Sequence, residues 1–200
     1  MKKGKRKYAK CPSCKAEVHK TEMKMAISEM EKVDKIQYNH YKDLKIDTYN
    51  SFIDSNFDWA CDICLEDKKA IKANPSLQNY SWNPNYAYYD SQLKCRNCNS
   101  DFIFAKKEKK YWFESLKFWI DSVPVHCIIC RKKIRQLKLE NTMLSDILKK
   151  DETDISSDEL NKIIEIYTNW EKEERVKYYQ AILKKKNSSL NPWVKTEIQI

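Results

Sequence analysis

The eight cysteines of this chain fall into four Cys-x-x-Cys pairs with none left over: Cys11/Cys14, Cys61/Cys64, Cys95/Cys98 and Cys127/Cys130. Each pair sets two thiols on one side of a tight turn. Two pairs brought together supply the four sulfurs that a d¹⁰ zinc ion accepts in a tetrahedron. The count predicts two structural Zn²⁺ per chain, with all eight cysteines as metal ligands. Other cysteine chemistry fits less well. Disulfides need an oxidising compartment. The run Met1-Lys2-Lys3-Gly4-Lys5-Arg6-Lys7 enters the first pair without the apolar segment of a secretory signal, so a cytoplasmic setting is expected. A thioredoxin-type redox motif uses one such pair, not four. Iron–sulfur clusters use the same ligands, and spacing alone does not separate iron from zinc.

The rest of the composition sets bounds. A hydrophobic content of 42% with 12% aromatics is that of a folded chain, and 200 residues make one or two small domains. No apolar run approaches the length of a membrane span, so no membrane partner is expected. The single glycine, beside abundant Lys, Asn and Ile, suits AT-rich coding, which discounts part of the lysine surplus. The formal charge of +9 counts every cysteine as neutral. A zinc ion held by four thiolates carries about −2, so two such centres bring the total to about +5. Lys10, Lys15, Lys94, Arg96, Arg131, Lys132 and Lys133 beside the pairs offset part of that thiolate charge. The remaining excess permits a polyanionic partner without requiring one.

Residues 1–10 form a basic tail, readable as a solvated terminus or as a nucleic-acid arm. Met23, Ala26, Ile27, Met30 and Val33 then recur at helical spacing, with Thr21 as the expected cap. A weaker helical pattern follows in Ile46, Tyr49 and Ile53. Together they make a helical insertion between the first two cysteine pairs, in a module spanning 11–89. Residues 66–94 read as irregular, with turn signals at Asn74-Pro75 and Asn83-Pro84. Tyr80, Trp82, Tyr86, Tyr88 and Tyr89 crowd that stretch. They serve either to cover small metal-centred cores or to stack on nucleobases.

In the second half, Phe102-Ile103-Phe104 reads as a short strand after Cys95 and Cys98. Asn99 suits a left-handed position behind the turn. Residues 107–120 read as a helix with Trp112, Leu116, Trp119 and Ile120 on one face, closed by Pro124 before Cys127 and Cys130. This order, from about Asp90 to Arg135, resembles the bacterial "probable zinc-ribbon" domain family. The resemblance rests on Cys95, Cys98, Phe102, Phe104, Glu108, Tyr111, Trp112, Pro124, Cys127, Cys130 and Arg131, and covers about a quarter of the chain. Asn99 stands where the family commonly has glycine. The family implies zinc binding in residues 90–136 with no activity attached.

Residues 137–200 form a helical segment. Within 141–156, the charged stretch Lys149-Lys150-Asp151-Glu152 reads as an exposed loop or linker. Ser156 and Glu159 offer a capping box. Leu160, Ile163, Ile164, Tyr167 and Trp170 mark one amphipathic helix. Val176, Tyr179, Ile182 and Leu183 mark a second, ending in Lys184-Lys185-Lys186. The two helices either pack at home or serve a protein partner.

Sequential pairing is the simpler arrangement: Cys11, Cys14, Cys61 and Cys64 on one ion, Cys95, Cys98, Cys127 and Cys130 on the other. A cross-brace would pair first with third and second with fourth. Four thiolates leave no open coordination position, which argues against hydrolytic zinc chemistry. His126 adjoins Cys127, but eight cysteines leave it no required ligand role. His19 and His40 form no cluster with it. Catalytic triads, phosphate-binding glycine loops and H-E-x-x-H are missing from the sequence. The expected fold is α+β: two small zinc-ribbon-like four-cysteine modules with helical insertions, then the helical segment. The expected function is a non-enzymatic zinc-binding protein associated with DNA or RNA through its basic tail and aromatic surface. The alternative is a protein-interaction or scaffold module acting through the C-terminal helices, with no nucleic-acid binding.

Overall fold

A computed structural model describes residues 8–37, 44–45 and 47–190. The basic tail at 1–7, Ile46 and His40 lie outside the described residues. The chain is mixed α+β and divides into two compact units, residues 1–127 and 128–200.

Among the described residues, the strands of the first unit form three two-stranded antiparallel pairs rather than one sheet. Strands β1 (Ala9–Lys10) and β2 (Glu17–Val18) enclose the first cysteine pair. Helix α1 (Lys24–Gln37) follows, as the spacing of Met23 to Val33 predicts. Thr21 does not cap it. It sits in a 3₁₀ turn, Lys20–Glu22, capped by His19. The first N–H groups of α1 instead meet a distant acceptor: Lys24 and Met25 donate to the Asp62 carboxylate at 2.9 and 3.1 Å. The weaker pattern around Tyr49 and Ile53 forms a 3₁₀ turn, Thr48–Phe52, capped by Asp47. The Tyr49 hydroxyl donates to the Val18 carbonyl at 3.0 Å and accepts from the Ala9 N–H at 3.1 Å, tying this turn to the first hairpin.

Helix α2 (Asp62–Glu66) carries the second cysteine pair. The stretch 66–94 is not irregular: β3 (Ala70–Lys72) pairs with β4 (Ala87–Tyr89), and β5 (Ser91–Lys94) pairs with β6 (Asp101–Phe104). Of the crowded aromatics, Tyr86 and Tyr88 are core residues and Trp82 alone is fully exposed. Phe52 meets Phe57 and Trp59 edge-on at 5.4 and 5.3 Å, around the buried Met23, Met30 and Ala70. A second cluster joins Ala73, Tyr88, Phe104 and Phe113.

Residues 107–120 are not one helix. Helix α3 (Lys106–Lys110) passes into a π-turn, Tyr111–Ser115. The wider turn rotates the inward face, so Phe113 and Glu114 are buried while Leu116 and Trp119 are exposed. Lys109 is 5% exposed. Burial of a charge at this depth requires a partner, and its ammonium donates to Asp58 at 3.0 Å and Ser91 at 2.8 Å.

The second unit is three helices: α4 (Ile128–Leu148), α5 (Ser157–Asn169) and α6 (Glu173–Leu190). Helix α4 ends at Leu148, and the exposed loop expected at Lys149-Lys150-Asp151-Glu152 follows it. The capping box forms as expected: Glu159 N–H donates to Ser156 Oγ at 3.2 Å, and Ser156 N–H to the Glu159 carboxylate at 2.9 Å. Helix α6 continues past the lysine run to Leu190. Leu144, Ile147, Ile155, Leu160, Ile163, Ile166 and Tyr179 form the core, so the amphipathic faces pack on one another. Tyr167 stacks on Tyr179 at 5.7 Å and meets Trp170 edge-on at 5.9 Å. No helix among the described residues is long and apolar enough to cross a membrane.

Candidate metal centres

The two halves of the first centre come from different kinds of turn. Cys11 and Cys14 occupy the β1–β2 turn. There Cys11 N–H donates to the Ala16 carbonyl at 2.9 Å, and Lys15 N–H to the Cys11 carbonyl at 2.8 Å. Lys15 adopts φ 65°, the left-handed geometry that reverses the chain behind the pair. Cys61 is the N-cap of α2, and Cys64 lies in its first turn. The sulfurs of Cys11, Cys14, Cys61 and Cys64 all lie within 4.8 Å of one another.

The second centre repeats this plan. Cys95 and Cys98 occupy the β5–β6 turn, with Cys95 N–H donating to the Ser100 carbonyl and Asn99 N–H to the Cys95 carbonyl, both at 2.9 Å. Asn99 has φ 58°. Cys127 immediately precedes α4, and Cys130 lies in its first turn. The sulfurs of Cys95, Cys98, Cys127 and Cys130 again lie within 4.8 Å. The correspondence reaches single hydrogen bonds. Cys61 N–H donates to Cys11 Sγ at 3.3 Å, and Cys127 N–H donates to Cys95 Sγ at 3.2 Å. In each centre the second cysteine, Cys14 or Cys98, is exposed and the other three are buried. All eight cysteines are free, and pairing is sequential rather than cross-braced.

The donor set fits a tetrahedral divalent ion. A metal–sulfur distance of about 2.3 Å places sulfurs about 3.8 Å apart along a tetrahedron's edge. Cys14 and Cys61 sulfurs are separated by 3.9 Å, and those of Cys98 and Cys127 by 3.8 Å. Four thiols this close oppose one another's ionisation unless a cation shares them. Burial, reinforced by the neighbouring Cys11, holds the Cys61 thiol above its ordinary range, and burial likewise raises Cys64. Burial also acts to raise Cys95. The N–H groups of Cys127, Cys98 and Asn97 outweigh it and bring that thiol down to about 5. Both clusters are thus compatible with one metal ion each. With all four positions taken by sulfur, the ion would supply cross-linking rather than a reactive water.

His126 belongs to neither ligand cluster, and its Nδ1 is buried without a hydrogen-bond partner among the described residues. Sequence reasoning missed Asp62, which lies between two metal-site cysteines yet caps α1. It read Lys15 for its charge alone and missed its left-handed position, the counterpart of Asn99.

A second cysteine pair that opens a helix, facing a hairpin pair, is not a ribbon of two hairpins. Comparison with protein families agrees. Residues 89–138 match the family described as a probable treble clef domain, a zinc-finger type of family. The zinc-ribbon expectation is therefore corrected to treble clef, over residues that contain the whole second centre. No curated protein matches the chain, and no solved structure does.

Proposed function

We propose that this is a non-enzymatic protein in which two structural zinc ions hold a nucleic-acid-binding surface, and that the surface is the first half of α4. From Ile128 to Leu139 this helix carries Arg131, Lys132, Lys133, Arg135 and Lys138, with no acidic residue. Lys132, Lys133, Arg135 and Lys138 are exposed and form no ion pair among the described residues. Cations at a helix start oppose the macrodipole, so local helix energetics does not explain them. The thiolates of the second centre offset the nearest ones, and the others leave a positive ridge suited to phosphates. This ridge carries the reading. The aromatic surface expected from sequence contributes little, because Tyr86 and Tyr88 are buried.

The test is binding of labelled oligonucleotides by the zinc-loaded chain across a salt series. Affinity should fall as salt rises, with a log–log slope of about 0.7–0.9 per phosphate contacted. Purified protein should contain two zinc per chain. Absence of salt-sensitive binding would remove the nucleic-acid reading. The second reading, a protein-interaction module, is favoured by the exposed Phe118, Trp119, Val123 and Val125. It expects a protein partner retained at moderate salt and no oligonucleotide affinity.

A further inference from the structure

Beside the basic ridge, within the second unit, lies an open groove of about 760 Å³ between α4 and the end of α5. Its walls are mainly apolar, formed by Leu137, Leu139 and Trp170, and Lys132, Lys133 and Arg135 stand along it. We infer that the nucleic acid is single-stranded, and that this groove seats an unstacked base while the three cations hold the flanking phosphates. The inference rests on the nucleic-acid reading above and specifies its ligand.

Three observations carry it. The first is the juxtaposition of apolar wall and cationic rim. A duplex offers phosphates to such a rim but keeps its bases paired and stacked, so the apolar wall would face water. A single strand presents both groups together. The second is the anchoring of Trp170. Its indole N–H donates to one Glu140 carboxylate oxygen at 2.7 Å, and the Gln136 amide donates to the other at 2.8 Å. Tyr167 packs edge-on against the same ring. A side chain fixed this way loses little entropy on meeting a ligand. The third is that Leu137 and Leu139 are 45% and 59% exposed on a long helix whose core-facing positions are Leu144 and Ile147. Leu137, three residues before Glu140 and seven before Leu144, lies on the side of the helix next to the anchored indole and is what a base would cover, with Leu139 at the far margin of the groove. The volume lies in the roughly 300–1,000 Å³ range of sites that take small organic groups.

The experiment uses the full-length, zinc-loaded chain and fluorescence anisotropy. The probes are a labelled oligothymidylate, a duplex of the same length, and poly-glutamate as competitor. The single strand should bind at least about tenfold more tightly than the duplex. Leu137→Ser and Leu139→Ser alter exposed positions without changing charge. Leu137→Ser should weaken single-strand binding about fivefold or more, the size expected when one apolar side chain loses its cover, and Leu139→Ser by less, both with the salt slope unchanged. Lys132→Ala with Lys133→Ala should lower the slope for the single strand by about 1.4, about 0.7 for each lost phosphate contact. Equal binding of duplex and single strand, or leucine variants that bind normally, would overturn the groove while leaving the ridge intact. Displacement by poly-glutamate as effective as by unlabelled oligothymidylate would make the groove an acidic-peptide site and overturn the inference. Failure of every oligonucleotide to bind would remove the underlying reading instead.

Discussion

Lys109 and Asp58 form a part-buried ion pair at 3.0 Å that Tyr89 joins through both its hydroxyl and its ring. The Tyr89 hydroxyl donates to the other Asp58 oxygen at 2.7 Å, and the Lys109 ammonium sits 4.4 Å from the centre of the Tyr89 ring. Removing Lys109 leaves the Asp58 carboxylate with only partial access to water, since 27% of its side chain is exposed. Lys109→Met should therefore destabilise the first unit by about 1–2 kcal/mol, less than for a fully buried pair. The double variant Asp58→Asn with Lys109→Met should cost clearly less than the two single changes added together. Urea denaturation in excess zinc measures both, and additive losses would show that the two groups act separately.

Asp62 ties the first metal centre to α1. Its carboxylate takes the N–H groups of Lys24 and Met25, while its backbone lies in the first turn of α2 between Cys61 and Cys64. Asp62→Ala should cost about 1 kcal/mol as a lost cap. Hydrogen exchange should speed up in the first turn of α1 without loss of zinc. Unchanged exchange there would mean that the cap adds nothing.

Metal removal should unfold the first unit, because the three separate two-stranded pairs among its described residues give little stability of their own. A strong chelator should abolish its near-ultraviolet circular dichroism. Cys64→Ser and Cys130→Ser, each changing a buried ligand position, should lower zinc content from about two per chain to about one. A chelated chain that melts like the loaded one would refute a structural role for the metal.

Glu159 predicts the pH response of the second unit. The Lys150 ammonium, helped by the Ser156 N–H, holds its carboxyl well below the usual carboxylate range, at about 2. A group whose folded value is depressed stabilises the native state fully above its unfolded value, about 4.3, and loses that effect as pH falls through the folded value. At pH 7, Glu159→Gln should speed hydrogen exchange in the first turns of α5 relative to the parent. The difference should shrink between about pH 4 and pH 2. A gap that stays constant over that range would assign the effect to the hydrogen bonds alone.

The cysteine clusters are legible in the sequence because ligand chemistry fixes their spacing. Helix α1 and the Ser156–Glu159 box are legible because their signals are local. The choice between ribbon and treble clef is not, since Cys-x-x-Cys serves a hairpin turn and a helix start equally well. The distinguishing signal lies downstream of Cys130, where Ile134, Leu144 and Ile147 keep helical spacing. Glu140 at a buried position on that helix breaks the stripe and hides it. Strands β3 and β4, three residues each, offer only Ile71 as a β-branched residue. The π-turn shifts the inward face by a residue that no regular period anticipates. Asp62 escapes local capping rules because it acts from 38 positions away.

Cys14 and Cys98 alone among the eight sulfur donors face solvent. Each cluster is therefore open to reagents at one corner, on its hairpin side. An alkylating or oxidising agent meets Cys14 and Cys98 first, while the other six thiols stay covered for as long as the fold holds.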